Sequence, residues 1–128
     1  MRKLKHSEVK PTREARWVSN KLRCEICGLS LKQSDIVLDH CHKRGWIRGA
    51  VHRGCNSLLG KLENNAPRFG IPTDSPQFFA FLHGSAGYLQ RNTTCHTGLI
   101  HPLYKDEQEK RELRNKKARI KRAASKVT

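Results

Sequence analysis

Ile36-Val37-Leu38-Asp39-His40-Cys41-His42-Lys43-Arg44-Gly45-Trp46-Ile47-Arg48-Gly49-Ala50-Val51 decides the fold of this chain. Ile36 to Leu38 is a β-rich apolar run, Lys43-Arg44-Gly45 supplies a turn, and Trp46 to Val51 returns as a second strand. Cys55-Asn56-Ser57-Leu58-Leu59-Gly60-Lys61-Leu62 then reads as a helix start with Leu58, Leu59 and Leu62 on one face. The order strand, strand, helix predicts a small α+β unit. Strict alternation sets His40 and His42 on one face of the strand and Asp39 with Cys41 on the other. For Asp39 and His40 to act around one centre, the strand must end or twist at Asp39. Cys41 is then expected as a small buried packer.

Two ligand pairs bracket this hairpin. Cys24-x2-Cys27 and His52-x2-Cys55 are separated by 24 residues, and each can turn two donors inward from one tight loop. Gly28 and Gly54 suit such turns. Three thiolates and one imidazole fill a tetrahedral zinc site and leave no open position, which argues for structure rather than chemistry. The competing reading is a CxxC redox pair with unrelated His52 and Cys55. That motif belongs at a strand-to-helix junction of a larger parallel α/β fold, for which this chain has no room. Cys95 is left as a free thiol.

Inside the zinc-closed loop stand Asp39, His40 and His42, with Asn56 just after the last ligand. Phosphodiester hydrolysis needs a base for water, a cation for the charge developing at phosphorus and the leaving oxygen, and donors for the phosphate. Histidine, with a free pKa of ~6.5, suits the first task. Asp39 and Asn56 offer the hard oxygen donors that suit Mg²⁺. The bland alternative makes these residues exposed turn positions or ligands of a second zinc.

Working outward, the chain has 128 residues, 26 Lys plus Arg and 11 Asp plus Glu, a formal net charge of +15. Its pI is about 10.2 and its mean hydropathy −0.74. One domain, or one domain with appendages, fits that length. Hydrophobic residues at 36% and aromatics at 6% make a modest core that wants a staple. Four segments are expected: a basic N-terminal arm or helix over 1–23, the zinc-bound core over 24–65, a Pro-marked joint and amphipathic helix over 66–104, and a basic helix or tail over 105–128. Residues 1–23 carry eight Lys/Arg against two acids, and 105–128 carry ten against four. Basic ends around a nearly neutral Cys/His-rich middle suit a polyanion partner, because each cation that meets a phosphate releases a counterion. A solubilising charge run is the alternative.

Pro67, Pro72 and Pro76 mark the joint. Ser75-Pro76 looks like a cap and first turn, and Phe78, Phe81, Leu82 and Leu89 predict a helix from about 76 to 90 for core or dimer contact. Further on, Asp106, Glu107 and Glu109 precede a basic run, as a helix dipole favours, with four-residue pairs such as Asp106 with Lys110 and Glu107 with Arg111. Only Leu113 and Ile120 offer an apolar seam, so this helix is expected to stay solvated. The longest apolar run, Phe78 to Leu82, is five residues, against about 20 for a membrane span. The start Met1-Arg2-Lys3-Leu4-Lys5 leads into no apolar signal segment, and five cysteines form an odd set. The expectation is a reducing cytoplasm and no membrane partner.

Cys24-x2-Cys27, Leu38-Asp39-His40-Cys41-His42, Ile47-Arg48-Gly49 and Cys55-Asn56 together resemble the phage recombination endonuclease VII family, a branch of the His-Me finger or HNH-type nucleases. The resemblance covers about residues 20–65. It implies a zinc-stapled ββα-metal finger with flanking helices. Asp39 and Asn56 would bind a catalytic divalent ion, Mg²⁺ or another; His40 would be the general base, and His42 would position phosphate or metal. Cys24, Cys27, Cys55 and position 52 would hold structural zinc. His52 stands where the family pattern usually has a cysteine, and imidazole is an acceptable zinc donor. The resemblance also implies a homodimer acting on branched DNA, such as Holliday junctions or mismatches. Lys43, Arg44, Arg48 and Arg53 are the expected phosphate contacts. Two rival functions remain: a sequence-directed nicking or homing-type nuclease, and a zinc-stapled DNA-binding module that cuts nothing.

Overall fold

The computed structural model describes residues 1–127 and orders them as α1 (His6–Ser19), β1 (Ile36–His40), β2 (Ile47–His52), α2 (Arg53–Asn65), α3 (Pro76–Arg91) and α4 (Glu107–Ser125). Short 3-10 turns lie at Gln33–Asp35 and Ala66–Phe69. Contacts divide the chain into two units, Met1–Gly84 and Ser85–Thr128. The protein is a small α+β fold with one two-stranded sheet.

In the first unit β1 and β2 pair antiparallel, from Ile36 opposite His52 to Asp39 opposite Gly49. The connection turns on Gly45, whose φ of 79° is a left-handed conformation that glycine adopts without strain. Cys41 N–H donates to the Trp46 carbonyl at 2.9 Å and closes the turn. β1 runs two residues past its apolar stretch because the ladder continues through Asp39 and His40. Between those two residues the register slips: His40 faces Ile47 and Arg48 becomes an extra residue on β2. This bulge is the break in alternation that the sequence requires at Asp39, since bulges increase local twist and re-aim side chains. Burial follows the break, with Ile36, Asp39 and Cys41 buried and His40 exposed.

The core is small and sits where the hairpin meets the Cys24 loop. Cys24, Leu31, Ile36, Ala50 and Val51 form it, with Trp17, Val37 and Cys55 packed at its edge. α1, expected as a basic arm or helix, is a helix docked on the hairpin: Trp17 Nε1 donates to the Leu31 carbonyl at 2.8 Å. Arg16 is spent inside the fold. It donates to Glu25 at 2.6 and 3.1 Å and to the Arg48 carbonyl at 3.1 Å.

Glu25 also accepts from Ala50 N–H at 2.6 Å, so one carboxylate joins α1, the Cys24 loop and β2. Burial opposes charge on Glu25, but Arg16 and the Ala50 N–H outweigh it and hold the carboxyl below its ordinary range. Gly49 makes this approach possible: a Cβ there would lie 2.6 Å from Glu25 Oε2 and 3.2 Å from its Cβ. Gly49→Ala is therefore expected to lower stability by about 1–3 kcal/mol, the usual cost of overpacking. Thermal unfolding checks this, and an unchanged midpoint would show that Glu25 is not held in place.

The helix expected over 76–90 spans Pro76–Arg91, and Ser75 Oγ caps it by accepting from Phe78 N–H at 3.1 Å. The leucine face of α2 divides. Leu58 and Leu62 line an apolar groove of about 450 Å³ with Phe69, Phe78 and Phe81, while Leu59 is half-buried. In the second unit α4 carries a reciprocal cap between Asp106 and Glu109, each bond 2.8 Å. Its ion pair among the described residues is Glu107 with Lys110, three residues apart, instead of the four-residue pairs expected. No residue of α4 is buried, in keeping with a solvated helix. Among the described residues no helix is long and apolar enough to cross a membrane.

Candidate functional site

The N-terminus of α2 begins at the end of β2, so His52 and Cys55 reach the Cys24 loop from the hairpin side. Donor atoms of Cys24, Cys27, His52 and Cys55 all lie within 4.8 Å of one another. His52 Nδ1 is 3.4 Å from Cys27 Sγ and 3.7 Å from Cys55 Sγ. Zinc bonds of ~2.3 Å to sulfur and ~2.0 Å to nitrogen give a tetrahedral edge of about 3.5 Å between such donors. The set fits zinc.

Outer contacts prepare it. His52 Nε2 lies 3.0 Å from the Ser30 carbonyl, an acceptor that puts the ring proton on Nε2 and leaves the Nδ1 lone pair for a metal. Backbone N–H groups of Ile26 and His52 each donate to Cys24 Sγ at 3.4 Å. Burial opposes a thiolate at Cys24, but hydrogen bonds from the Cys27, His52 and Ile26 backbone outweigh it and bring the thiol down to about 6. Cys55 goes the other way, up to about 11, through burial and then its sulfur neighbours Cys27 and Cys24. Neighbouring thiolates repel, and a bound dication reverses that repulsion.

Beyond the cluster, β1 ends in the residues singled out for chemistry. His40 and His42 are exposed with ring centroids 5.1 Å apart. His42 lies over α2, its Cε1 4.0 Å from where a Cβ on Gly60 would stand. Asn56 is half-buried in the first turns of α2, and its side-chain amide is engaged by no other described residue. Asp39 is only 4% exposed. Arg48 grips it bidentately, Nε to Oδ2 at 2.7 Å and Nη2 to Oδ1 at 3.1 Å.

Arg48 also donates to Glu63 Oε1 at 2.8 Å, and hydrogen bonds to Asp39 and then Glu63 raise its pKa above the ordinary guanidinium range. Arg44 pairs with Asp74 at 3.2 Å and stacks over Trp46, 5.1 Å from the ring centroid. Lys43 and Arg53 are exposed and make no ion pair with any described residue. Of the four expected phosphate contacts, then, two are paired within the fold and two are unpaired. Cys41 is buried and Cys95 is an exposed free thiol, as expected.

The family model of recombination endonuclease VII matches residues 2–91, more than half of the chain. The protein belongs to this family. It is accordingly an endonuclease, with DNA as its substrate class. No curated protein shows significant sequence similarity to the chain. The endonuclease VII match extends well past residues 20–65, taking in α1 and running to the last residue of α3. All four zinc-type donors, Asp39, His40, His42 and Asn56 lie within it.

Two carboxylates that tie this part of the endonuclease together escape a reading by motif. Glu25 sits between the first two cysteines as an apparent spacer, and Glu63 lies outside every motif. Glu63 does carry a signal: it follows Asn56 by seven residues, two helical turns, and so returns to the same side of α2.

Proposed function

We propose that this protein is a divalent-metal-dependent endonuclease of branched DNA. Exposed His40 and His42 beside a buried carboxylate, at the end of a hairpin clamped by the Cys/His cluster, carry this reading. His40 takes the proton from an attacking water, and in-line displacement leaves 5′-phosphate and 3′-hydroxyl ends. His42 donates to the phosphate. Asp39 and Asn56 are the residues that would hold the ion: each Asp39 oxygen accepts one N–H from Arg48 and keeps a second lone pair. Such an ion, when bound, neutralises charge developing at the scissile phosphate.

Zinc at Cys24, Cys27, His52 and Cys55 is structural on this reading, and fixes the hairpin end against α2. Lys43 and Arg53, exposed and in no ion pair with a described residue, are available to phosphate, and the basic residues of 105–128 add further positive charge for the same polyanion. Incubation with Mg²⁺ and a panel of four-way junction, mismatched, nicked and linear duplex DNA tests the proposal. Paired symmetrical cuts across the junction are the expected result. Nicking of unbranched duplex at one sequence would make it a homing-type nuclease instead, and binding without product under any divalent ion would make it a DNA-binding module.

A further inference from the structure

We infer that Arg48 and Glu63 are positioning residues that set the carboxylate of Asp39 for its cation, and that Arg48 is not a phosphate contact. The inference rests on Asp39 being a cation ligand, as proposed above. It starts from the bulge. In an unbroken ladder Arg48 would stand opposite His40 and share its exposed side. Because His40 pairs with Ile47 instead, Arg48 is the surplus residue of β2, and its side chain is delivered to buried Asp39.

What Arg48 does there is specific. A carboxylate on a strand turns about a soft terminal torsion. Two parallel N–H donors, 2.7 and 3.1 Å from the two oxygens, fix its plane. Glu63 Oε1 accepts from the same Nη2 at 2.8 Å, with its own side chain only 11% exposed. The chain of contacts thus runs from β1 through β2 to α2, the helix that presents Asn56 about 10 Å earlier along its axis. Asp39 and Asn56, the two proposed ligands, are held in mutual register by Arg48 and Glu63.

Charge points the same way. Asp39 with Arg48 alone would be neutral and a poor cation site. Glu63 makes the trio one unit negative, so the guanidinium can orient Asp39 without cancelling the attraction for a dication. An arginine meant for DNA would need release from two carboxylates, whereas Lys43 and Arg53 need none.

The test uses the zinc-loaded full chain with Arg48→Lys and Glu63→Gln, both close to the native residue in side-chain volume. Arg48→Lys keeps the charge and loses the fork; Glu63→Gln keeps the shape and loses the charge. Mn²⁺ binding, followed by its spin-resonance signal, is expected to weaken roughly 10- to 100-fold in each, the usual loss when a partner of a metal ligand is removed. Cleavage should lose kcat while KM for DNA stays within about twofold. Unchanged Mn²⁺ affinity and kcat with a raised KM would overturn the inference and make Arg48 a phosphate contact. If wild type binds Mn²⁺ and the variants bind it weakly, but no DNA is cut, positioning stands and the nuclease mechanism falls. Absence of any Mn²⁺ binding in wild type would overturn both.

Discussion

A His40→Ala protein is expected to lose cleavage by about 10²- to 10⁴-fold, the usual contribution of a general base, and to keep its fold and its affinity for DNA. The separation of these effects follows from where His40 sits. It ends β1 on the exposed side of the bulge, outside the core of Cys24, Leu31, Ile36, Ala50 and Val51. Its ring contact is His42, itself exposed. Removing the imidazole opens no cavity and strands no buried polar partner, so stability should move by no more than about 0.5 kcal/mol, as for surface substitutions generally. On the proposed reading, phosphate affinity is carried by cations elsewhere, Lys43 and Arg53 among them. The measurement is single-turnover cleavage of a labelled four-way junction beside a binding titration on the same DNA. A folded His40→Ala protein that cut at the wild-type rate would remove His40 as the base.

How much of this could be read from the sequence depended on whether a residue's role is local. Ligand spacing is local: two residues between donors fix a loop around an ion whatever the rest of the chain does, and the four zinc-type donors meet as that spacing requires. Capping is local too, and Ser75 and Asp106 begin their helices as a cap should. The need for a break at Asp39 was legible because period-two alternation is geometrically rigid.

What stayed hidden was pairwise and long-range. No rule of composition tells a cation bound for phosphate from one bound for a carboxylate. Arg16, Arg44 and Arg48 are used by Glu25, Asp74 and Asp39, partners 9, 30 and 9 positions away. The form of the break was hidden for the same reason. A bulge on β2 exists only in relation to β1, and it converts Arg48 from a candidate for DNA into a partner of Asp39. Gly49 reads as an ordinary glycine in a strand until Glu25 is placed against it. The ion pairs of α4 differ from the four-residue expectation because three- and four-residue neighbours are nearly equivalent on a solvated helix.

Removal of zinc is expected to have the largest structural effect of all, unfolding the Met1–Gly84 unit. Seven apolar residues are buried among the described residues, and Cys24, a zinc-type ligand, is one of them; Cys55, another, packs at the core's edge. So few side chains cannot offset the chain entropy of some eighty ordered residues, at roughly 1–2 kcal/mol each for the backbone alone. Structural zinc contributes apparent binding free energies of about 10–16 kcal/mol, as large as the entire net stability of a typical domain, ~5–15 kcal/mol. The clamp also fixes the start of α2, where Asn56 directly follows ligand Cys55, so losing the metal disperses the site along with the core. Cys55→Ser should behave as the chelated protein does, since a hydroxyl is a poor substitute for a thiolate on zinc. Metal analysis should return one zinc per chain. Chelation should abolish the near-ultraviolet signal of Trp17, which is held by packing on the core and by its bond to the Leu31 carbonyl. A chelated protein that kept this signal and a cooperative thermal transition would show that the hairpin, α1 and Glu25 suffice without metal, and that the Cys/His cluster has some task other than holding the fold.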